Sequence, residues 1–151
     1  MADPIKPDGY ASQYYSYFDL SPPDSPGTKM RAYTLTGVAL CTIQGGGGAR
    51  WRHADLHILL QLPGLNESPP GNALLLRHWA PYFSLNSISN DHVANDAGWA
   101  VDSWDQYYGP YETDKNPTSV LQYMVHLAVG DSDGFILRVG YNVNVVGEVV
   151  P

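Results

Sequence analysis

The segment from Val120 to Val146, VLQYMVHLAVGDSDGFILRVGYNVNVV, carries the strongest structural signal in the chain. Two runs rich in β-branched and aromatic residues, 120–129 and 135–146, flank Gly-Asp-Ser-Asp-Gly, a composition that favours a tight turn. The segment is therefore predicted to form an antiparallel β-hairpin with one buried face. Along its second arm the residues expected on the buried face are Phe135, Leu137, Val139, Tyr141, Val143 and Val145, opposed by Arg138, Asn142 and Asn144.

Other segments show the same period of two. Residues 31–44, RAYTLTGVALCTIQ, predict a strand. Residues 51–62, WRHADLHILLQL, predict another, with an apolar face and a polar face. Residues 72–83, NALLLRHWAPYF, favour a strand over a short helix, and Pro81 is expected to end it. The pattern of 91–108 fits either a helix or a strand.

Several strands, many Gly and Pro turns and no clear long helix predict an all-β fold. Sequence patterning leaves open an antiparallel sandwich, jelly-roll-like in kind, or a small barrel. Residues 1–29, rich in Pro and Tyr, are expected to form an N-terminal arm before a single β domain at 30–151. The aromatic run Tyr14, Tyr15, Tyr17 and Phe18 indicates that this arm packs on the domain or on a neighbouring subunit.

The composition excludes several classes of protein. With 44% apolar and 15% charged residues the chain is globular rather than disordered. Its eight Lys and Arg face fifteen Asp and Glu, a net charge of −7, so nucleic acid and anionic membranes are not expected partners. A single cysteine, Cys41, excludes an intramolecular disulfide. No signal peptide or membrane-spanning run is visible, so a soluble and, by default, cytoplasmic protein is expected.

The segment 98–114, GWAVDSWDQYYGPYETD, combines aromatic rings with carboxylates and has no Lys or Arg. Aromatic faces stack on the C–H surface of sugar rings, and carboxylates accept hydrogen bonds from hydroxyl groups. We therefore predict a non-enzymatic, lectin-like domain that binds a glycan or a neutral small molecule. Trp104 and Asp105 are the leading candidates, and Trp99 is expected in the core. The full predicted set is Trp104, Asp105, Asp102, Tyr107, Tyr108 and Tyr111, together with Trp51.

Two alternatives remain open. Because a strand places residues i, i+2 and i+4 on one face, Asp55 with His53 or His57 would suit a small β-barrel enzyme, a hydrolase, lyase or cyclase. The other alternative is a structural subunit that forms homo-oligomers through its N-terminal arm.

No cofactor or metal is predicted. The two histidines of strand 51–62 would lie about 13 Å apart, too far to share one ion. A divalent metal at Asp55 would need a further ligand from another strand, such as His78, His92 or His126.

Overall fold

The computed structural model describes residues 10–20, 29–46, 51–62, 65, 73–90, 98–111, 118–130 and 134–150. This part of the chain is almost entirely β-strand and contains no helix, which confirms the all-β prediction and shows that 98–111 is a strand. It therefore also has no helix long and apolar enough to cross a bilayer. The strands are β1 (Tyr10–Asp19), β2 (Lys29–Gln44), β3 (Trp51–Gln61), β4 (Ala73–Asn90), β5 (Gly98–Tyr111), β6 (Thr118–Gly130) and β7 (Gly134–Val150).

The strands form two antiparallel sheets, in the orders β1-β2-β7-β4 and β3-β6-β5. β2 pairs with β7 in the first sheet, and β3, which follows β2, pairs in the second sheet with β6, which precedes β7. The two strand pairs thus form one antiparallel ribbon that passes from the four-stranded sheet to the three-stranded sheet. Where the ribbon changes sheet, the Gly45 N–H donates to the carbonyl of Gly134 at 2.9 Å.

The predicted hairpin at 120–146 is wrong, although both of its strands are present. β6 pairs with β3 and β5, whereas β7 pairs with β2 and β4, so these consecutive strands lie in different sheets. Each is a central strand with both edges occupied, which leaves no edge for β6 and β7 to share. Their buried side chains instead contribute to one common core. The glycine-rich turn composition marks a change of sheet, not a hairpin.

The core contains side chains from both sheets. It is almost wholly aliphatic and aromatic, and no polar or charged residue is buried among the described residues. Each large apolar side chain buried in this way contributes about 1.5–3 kcal/mol relative to exposure. The largest fully buried members are Tyr33, Tyr123, Leu35, Ile43, Leu56, Ile58, Leu60, Leu65, Leu74, Leu121, Leu127 and Ile136.

The predicted alternation holds in β3 from Ala54 to Leu60, although Arg52 is exposed, and only in part in β7. On β3 the even-numbered residues from Ala54 to Leu60 are buried, as expected. On β7 the alternation holds from Val139 to Val145, but Ile136 is buried where Leu137 was expected. The register against β4 shifts at this point, as in a β-bulge, so the phase of the side chains changes.

Pro81 does not end its strand, contrary to the prediction. β4 continues through Pro81, which lies opposite Val143 of β7, as far as Asn90. β4 is an edge strand, paired on one side only. Proline is tolerated there because its missing N–H can face away from the partner strand.

Part of the predicted N-terminal arm is also a strand. Tyr10–Asp19 forms β1, the edge strand that pairs with β2 and with no other strand of the described part. From Tyr14 to Asp19 all of its residues are exposed, as is Leu20, which follows it. The division into an arm and a domain stays a prediction.

The buried thiol of Cys41 provides a test of the core. Cys41 is 3% exposed on the inner face of β2, and burial raises its pKa to about 11. At pH 8 about one thiol in a thousand is then ionised, and the thiolate is the reactive form. We expect a thiol reagent to modify native Cys41 at least a hundredfold more slowly than the protein in denaturant.

A Ser103→Cys variant supplies the control, because Ser103 lies exposed on β5. Its added thiol should react rapidly in the native protein. Equal rates for Cys41 in the native and denatured states would contradict this burial.

Candidate functional site

The outer face of the three-stranded sheet brings together most of the polar residues that the sequence singled out. We call it the His–Asp face. Its members are Trp51, His53, Asp55 and His57 on β3, Gln122, Met124 and His126 on β6, and Asp102, Ser103, Asp105 and Tyr107 on β5. β3 contributes its polar side here because its other side supplies the core.

His126 is held between two carboxylates at the centre of this face. Its Nδ1–H donates to Asp55 Oδ1 at 2.6 Å, and its Nε2–H donates to Asp105 Oδ2 at 2.8 Å. An ionised carboxylate can only accept, so the two hydrogen bonds form together only when both ring nitrogens carry protons, as in an imidazolium. The hydrogen bond that His126 donates to Asp105, followed by the one it donates to Asp55, raises the pKa of His126 above its ordinary value. One side chain thus cross-links all three strands of the sheet.

This arrangement does not form the acid–base pair that the sequence suggested. Asp55 contacts His126, whereas His57 Nε2 lies 2.9 Å from Gln122 Oε1 and His53 Nδ1 lies 3.3 Å from Asp102 Oδ2. A histidine that donates from both ring nitrogens has no lone pair with which to accept a proton. While both hydrogen bonds persist, His126 cannot act as a general base.

The metal ligands considered from the sequence do not converge either. Within the described ranges no three His, Cys, Asp or Glu side chains are placed to hold one ion. His78 lies on β4 in the other sheet, and His92 falls outside the described residues. The ring of His126 occupies the space between Asp55 and Asp105.

Trp51 lies flat on two glycines at one end of the His–Asp face. Gly130 is its partner on β6, and Gly98 is the partner of Gly130 on β5. A Cβ atom on Gly98 would lie 2.6 Å from Trp51 Cη2, and one on Gly130 would lie 3.4 Å from Trp51 Cε2. The indole therefore crosses the sheet with one face against glycine backbone. With 51% of the residue exposed, its other face is open to solvent.

A β-bulge in β5 decides which of the predicted ligand residues reach this face. Val101 pairs with Leu127 and Ser103 pairs with His126, so Asp102 is an extra residue in β5. The inserted residue changes the phase of the strand between Val101 and Ser103. Asp102 reaches His53 on the outer face, and beyond the bulge the odd-numbered residues face outward.

The predicted aromatic residues are consequently divided between two faces. Trp104 faces the other sheet, with its ring 6.4 Å from that of Phe83 and 5.9 Å from that of Tyr123, although 38% of it stays exposed at the sheet edge. The Tyr108 hydroxyl accepts the backbone N–H of Leu74 at 3.0 Å, also toward the other sheet. Trp99 packs against the core, as expected. Trp51, Asp102, Asp105 and Tyr107 share the outer face, and the Tyr111 side chain lies outside the described residues.

The charges of the face favour ligands that donate hydrogen bonds over ligands that are anions. Asp55, Asp102 and Asp105 supply three carboxylates, His126 supplies one compensating proton, and no Lys or Arg belongs to the face. Asp105 is the most accessible of the carboxylates, with 80% of its side chain exposed. Such a surface can accept hydrogen bonds from hydroxyl groups or attract a cation, and it repels phosphate, sulfate and carboxylate groups.

Sequence reasoning considered His126 only as a supplementary metal ligand. Its actual role depends on the register that places it opposite Asp55 on β3 and Ser103 on β5. No local pattern encodes that register. The packing of Trp51 had a weak signal in the sequence, because glycines at 98 and 130 leave room for a large ring from a neighbouring strand.

The titration of His126 tests the carboxylate pairing. We expect its imidazole to titrate above the ordinary value of about 6.5 in an NMR pH titration. Asp105→Asn removes the hydrogen bond that raises the pKa of His126 most and should lower this pKa toward 6.5. Any elevation that persists in the variant is due to Asp55. Asp102→Asn, which contacts His53 instead, is the matched control and should leave the titration of His126 unchanged. A wild-type value at or below 6.5 would contradict the pairing.

The same pairing has a consequence for stability. The pKa of His126 is higher in the folded state than in the unfolded state. Its pairing with the carboxylates therefore stabilises the fold fully at pH values below the unfolded-state pKa of about 6.5, and this stabilisation is lost as pH rises through the folded-state pKa. The free energy of unfolding of wild type minus that of Asp105→Asn should therefore be larger at pH 6 than at pH 9. Denaturant titrations at both pH values measure this difference, and a pH-independent difference would contradict it.

Comparison with known proteins found no match. No protein-family model, no curated protein and no solved structure matched the chain.

Proposed function

We propose that this chain is a non-enzymatic carbohydrate-binding domain that binds a neutral glycan on the His–Asp face. The observation that carries the proposal is the packing of Trp51 on two glycines. Its indole is held flat on Gly98 and Gly130, with one ring face open beside a row of carboxylates. A rigid aromatic platform next to hydrogen-bond acceptors is the combination that recognises a sugar ring.

The polar residues supply acceptors that are fixed before a ligand arrives. Asp55 and Asp105 are held by His126, and Asp102 by His53. Carboxylates accept hydrogen bonds from the hydroxyl groups of a sugar. Fixing them in advance reduces the conformational entropy that binding would otherwise cost.

The length of the face favours an extended glycan over a single sugar. Successive outward residues of β3 lie about 7 Å apart, and Tyr107 lies at the level of Leu59, four such steps from Trp51, a span of about 27 Å. Tyr107 is 59% exposed and supplies a second aromatic ring at the far end. A linear oligosaccharide that runs along the strands would contact both rings and the carboxylates between them.

For the fold, we infer a jelly-roll-like sandwich and not a barrel. In the part of the chain described, no strand of one sheet pairs with a strand of the other, as closure into a barrel would require. The ribbon of β2-β7 and β3-β6, wound from one sheet to the other, is the arrangement from which jelly rolls are built. Among the described strands none covers the His–Asp face, since the four-stranded sheet packs on the opposite side of the three-stranded one.

Titration calorimetry with neutral linear glucan, mannan and xylan oligosaccharides tests the proposal. We expect at least one series to bind, and Trp51→Ala to weaken its binding at least tenfold by removing the stacking platform. Trp79→Ala is the matched control, because Trp79 is a similarly exposed tryptophan on β4 in the other sheet. Absence of binding across the panel, or equal losses in both variants, would refute the proposal.

Self-association through β1 is a second candidate role. β1 pairs on one side only and exposes large apolar side chains at Tyr14, Tyr15, Tyr17 and Phe18, followed by Leu20. Edge strands normally carry charges or other features that prevent pairing with another chain. Within β1 only Asp19, at its end, is charged, and residues 10–18, YASQYYSYF, are not, so two copies could pair the middle of β1 with itself with little repulsion between like charges.

Sedimentation velocity of the full chain tests this role. A concentration-dependent dimer is expected, and Tyr14→Lys should shift it to monomer, because an antiparallel β1–β1 pair centred on the strand places the two copies of residue 14 near each other. Tyr107→Lys introduces the same charge at an exposed tyrosine of the other sheet and should leave the dimer intact. A wild-type chain that stays monomeric at high concentration would exclude the role.

A further inference from the structure

The outer face of the four-stranded sheet contains a groove of about 380 Å³. We call it the tyrosine groove. It lies on the opposite side of the molecule from the His–Asp face, because the two sheets share the core between them. The residues that define it here are Tyr14, Thr36, Asn142, Tyr82, Ser84 and Gly140.

Four of these residues form one row across all four strands. Tyr14 lies opposite Thr36, Thr36 opposite Asn142, and Asn142 opposite Tyr82. Three strand spacings place the Cα atoms of the two tyrosines about 14 Å apart. Both tyrosines are highly exposed, 70% and 71%. They stand as the two walls of the groove, with Thr36 and Asn142 on its floor.

A glycine in the adjacent row shapes the rest of the floor. Gly140 lies opposite Ser84, and a Cβ atom on Gly140 would lie 3.0 Å from Ser84 Oγ and 3.6 Å from Asn86 Nδ2. The missing side chain lets Ser84 and Asn86 lean over the strand. Two more polar groups thereby reach the groove.

The lining of the groove combines aromatic and apolar groups with polar side chains that carry no charge. Thr36, Ser84, Asn86 and Asn142 are hydroxyl or amide side chains, which both donate and accept hydrogen bonds. No Asp, Glu, Lys, Arg or His lines the groove in the part of the chain described. An ionic ligand would lose its hydration without gaining a counter-charge, so the lining selects a neutral ligand.

Part of the floor is held by its own hydrogen bonds. Thr34 Oγ1 donates to Asn144 Oδ1 at 2.9 Å, and Asn144 Nδ2 donates to Asn142 Oδ1 at 3.0 Å. The chain of bonds fixes the amide of Asn142 with its oxygen engaged. Its NH₂ group is then directed to other acceptors, such as a hydroxyl oxygen of a ligand.

From these features we propose that the tyrosine groove is a second ligand site, which binds a single uncharged, polyhydroxylated ring such as a monosaccharide. Its volume lies at the lower end of the range for small-molecule sites. A flat aromatic ligand stacked on one tyrosine would leave the distant wall without contact. A sugar ring with its hydroxyl groups spans the floor and pairs with donors and acceptors that have no charge to satisfy. This site does not depend on the His–Asp face.

Methyl glycosides of glucose, galactose and mannose, titrated into the full ¹⁵N-labelled chain, are the probes for this site. We expect at least one glycoside to bind and to shift the amide signals of Gly37, Gly140 and Asn142. Tyr82→Ala should weaken that binding at least fivefold, while Tyr82→Phe, which keeps the ring, should retain most of it. Trp79→Ala, at an exposed aromatic residue of the same strand that belongs to neither proposed site, is the matched control and should bind as wild type does. Tyr82 is exposed, so its variants should fold, and their thermal unfolding midpoints check this.

The outcomes separate the two sites. If Tyr82→Ala weakens glycoside binding and Trp51→Ala does not, the tyrosine groove is a ligand site, whether or not the His–Asp face binds a glycan. Binding that shifts signals around Trp51, and that only Trp51→Ala weakens, overturns the groove and leaves the proposed function standing. Failure of every glycoside to bind, while oligosaccharides still bind, also overturns the groove.

Discussion

The structure depends on one constraint: β6 and β7 follow each other in the chain but form the centres of two different sheets. Both strands bury a row of large apolar side chains, and both already have a partner on each edge. Both rows can be buried only if the two strands contribute them to one core between the sheets. The other strands are arranged around this pair, since β2 and β3 accompany β7 and β6 through the same change of sheet.

The glycines at the change of sheet also provide the surface on which Trp51 packs. β6 ends at Gly130 and β7 begins at Gly134, and a Cβ atom on Gly134 would lie 2.9 Å from the carbonyl oxygen of Gly130. The close approach of these two strand ends therefore requires a glycine at position 134. On the outer side, Gly130 leaves a bare patch of backbone that continues onto Gly98, and Trp51 covers it. The feature that permits the fold thus creates the flat aromatic surface on which the proposed function rests.

Local patterns in the sequence predicted what depends on a single strand. The two faces of β3 and the buried row of β2 follow from a period of two. What depends on pairing was not predictable in the same way. An amphipathic strand, a glycine-rich turn and another amphipathic strand look alike whether the strands pair edge to edge or pack face to face. The bulge at Asp102 likewise has no local signal, yet it places both Trp99 and Trp104 on the inner side of β5 and so divides the predicted ligand residues.

The two outer faces differ in how their polar groups are held, and this difference bears on what each can recognise. On the His–Asp face the acceptors are charged, and a protonated histidine keeps Asp55 and Asp105 about one imidazole ring apart. Loss of that proton at high pH would leave two carboxylates facing a neutral ring that can donate to only one of them. In the tyrosine groove, amides and hydroxyl groups hold one another without any carboxylate or imidazole in the lining. The geometry of the carboxylates on the first face is therefore coupled to the protonation of His126, whereas the geometry of the groove is set by neutral hydrogen bonds and by the spacing of the strands.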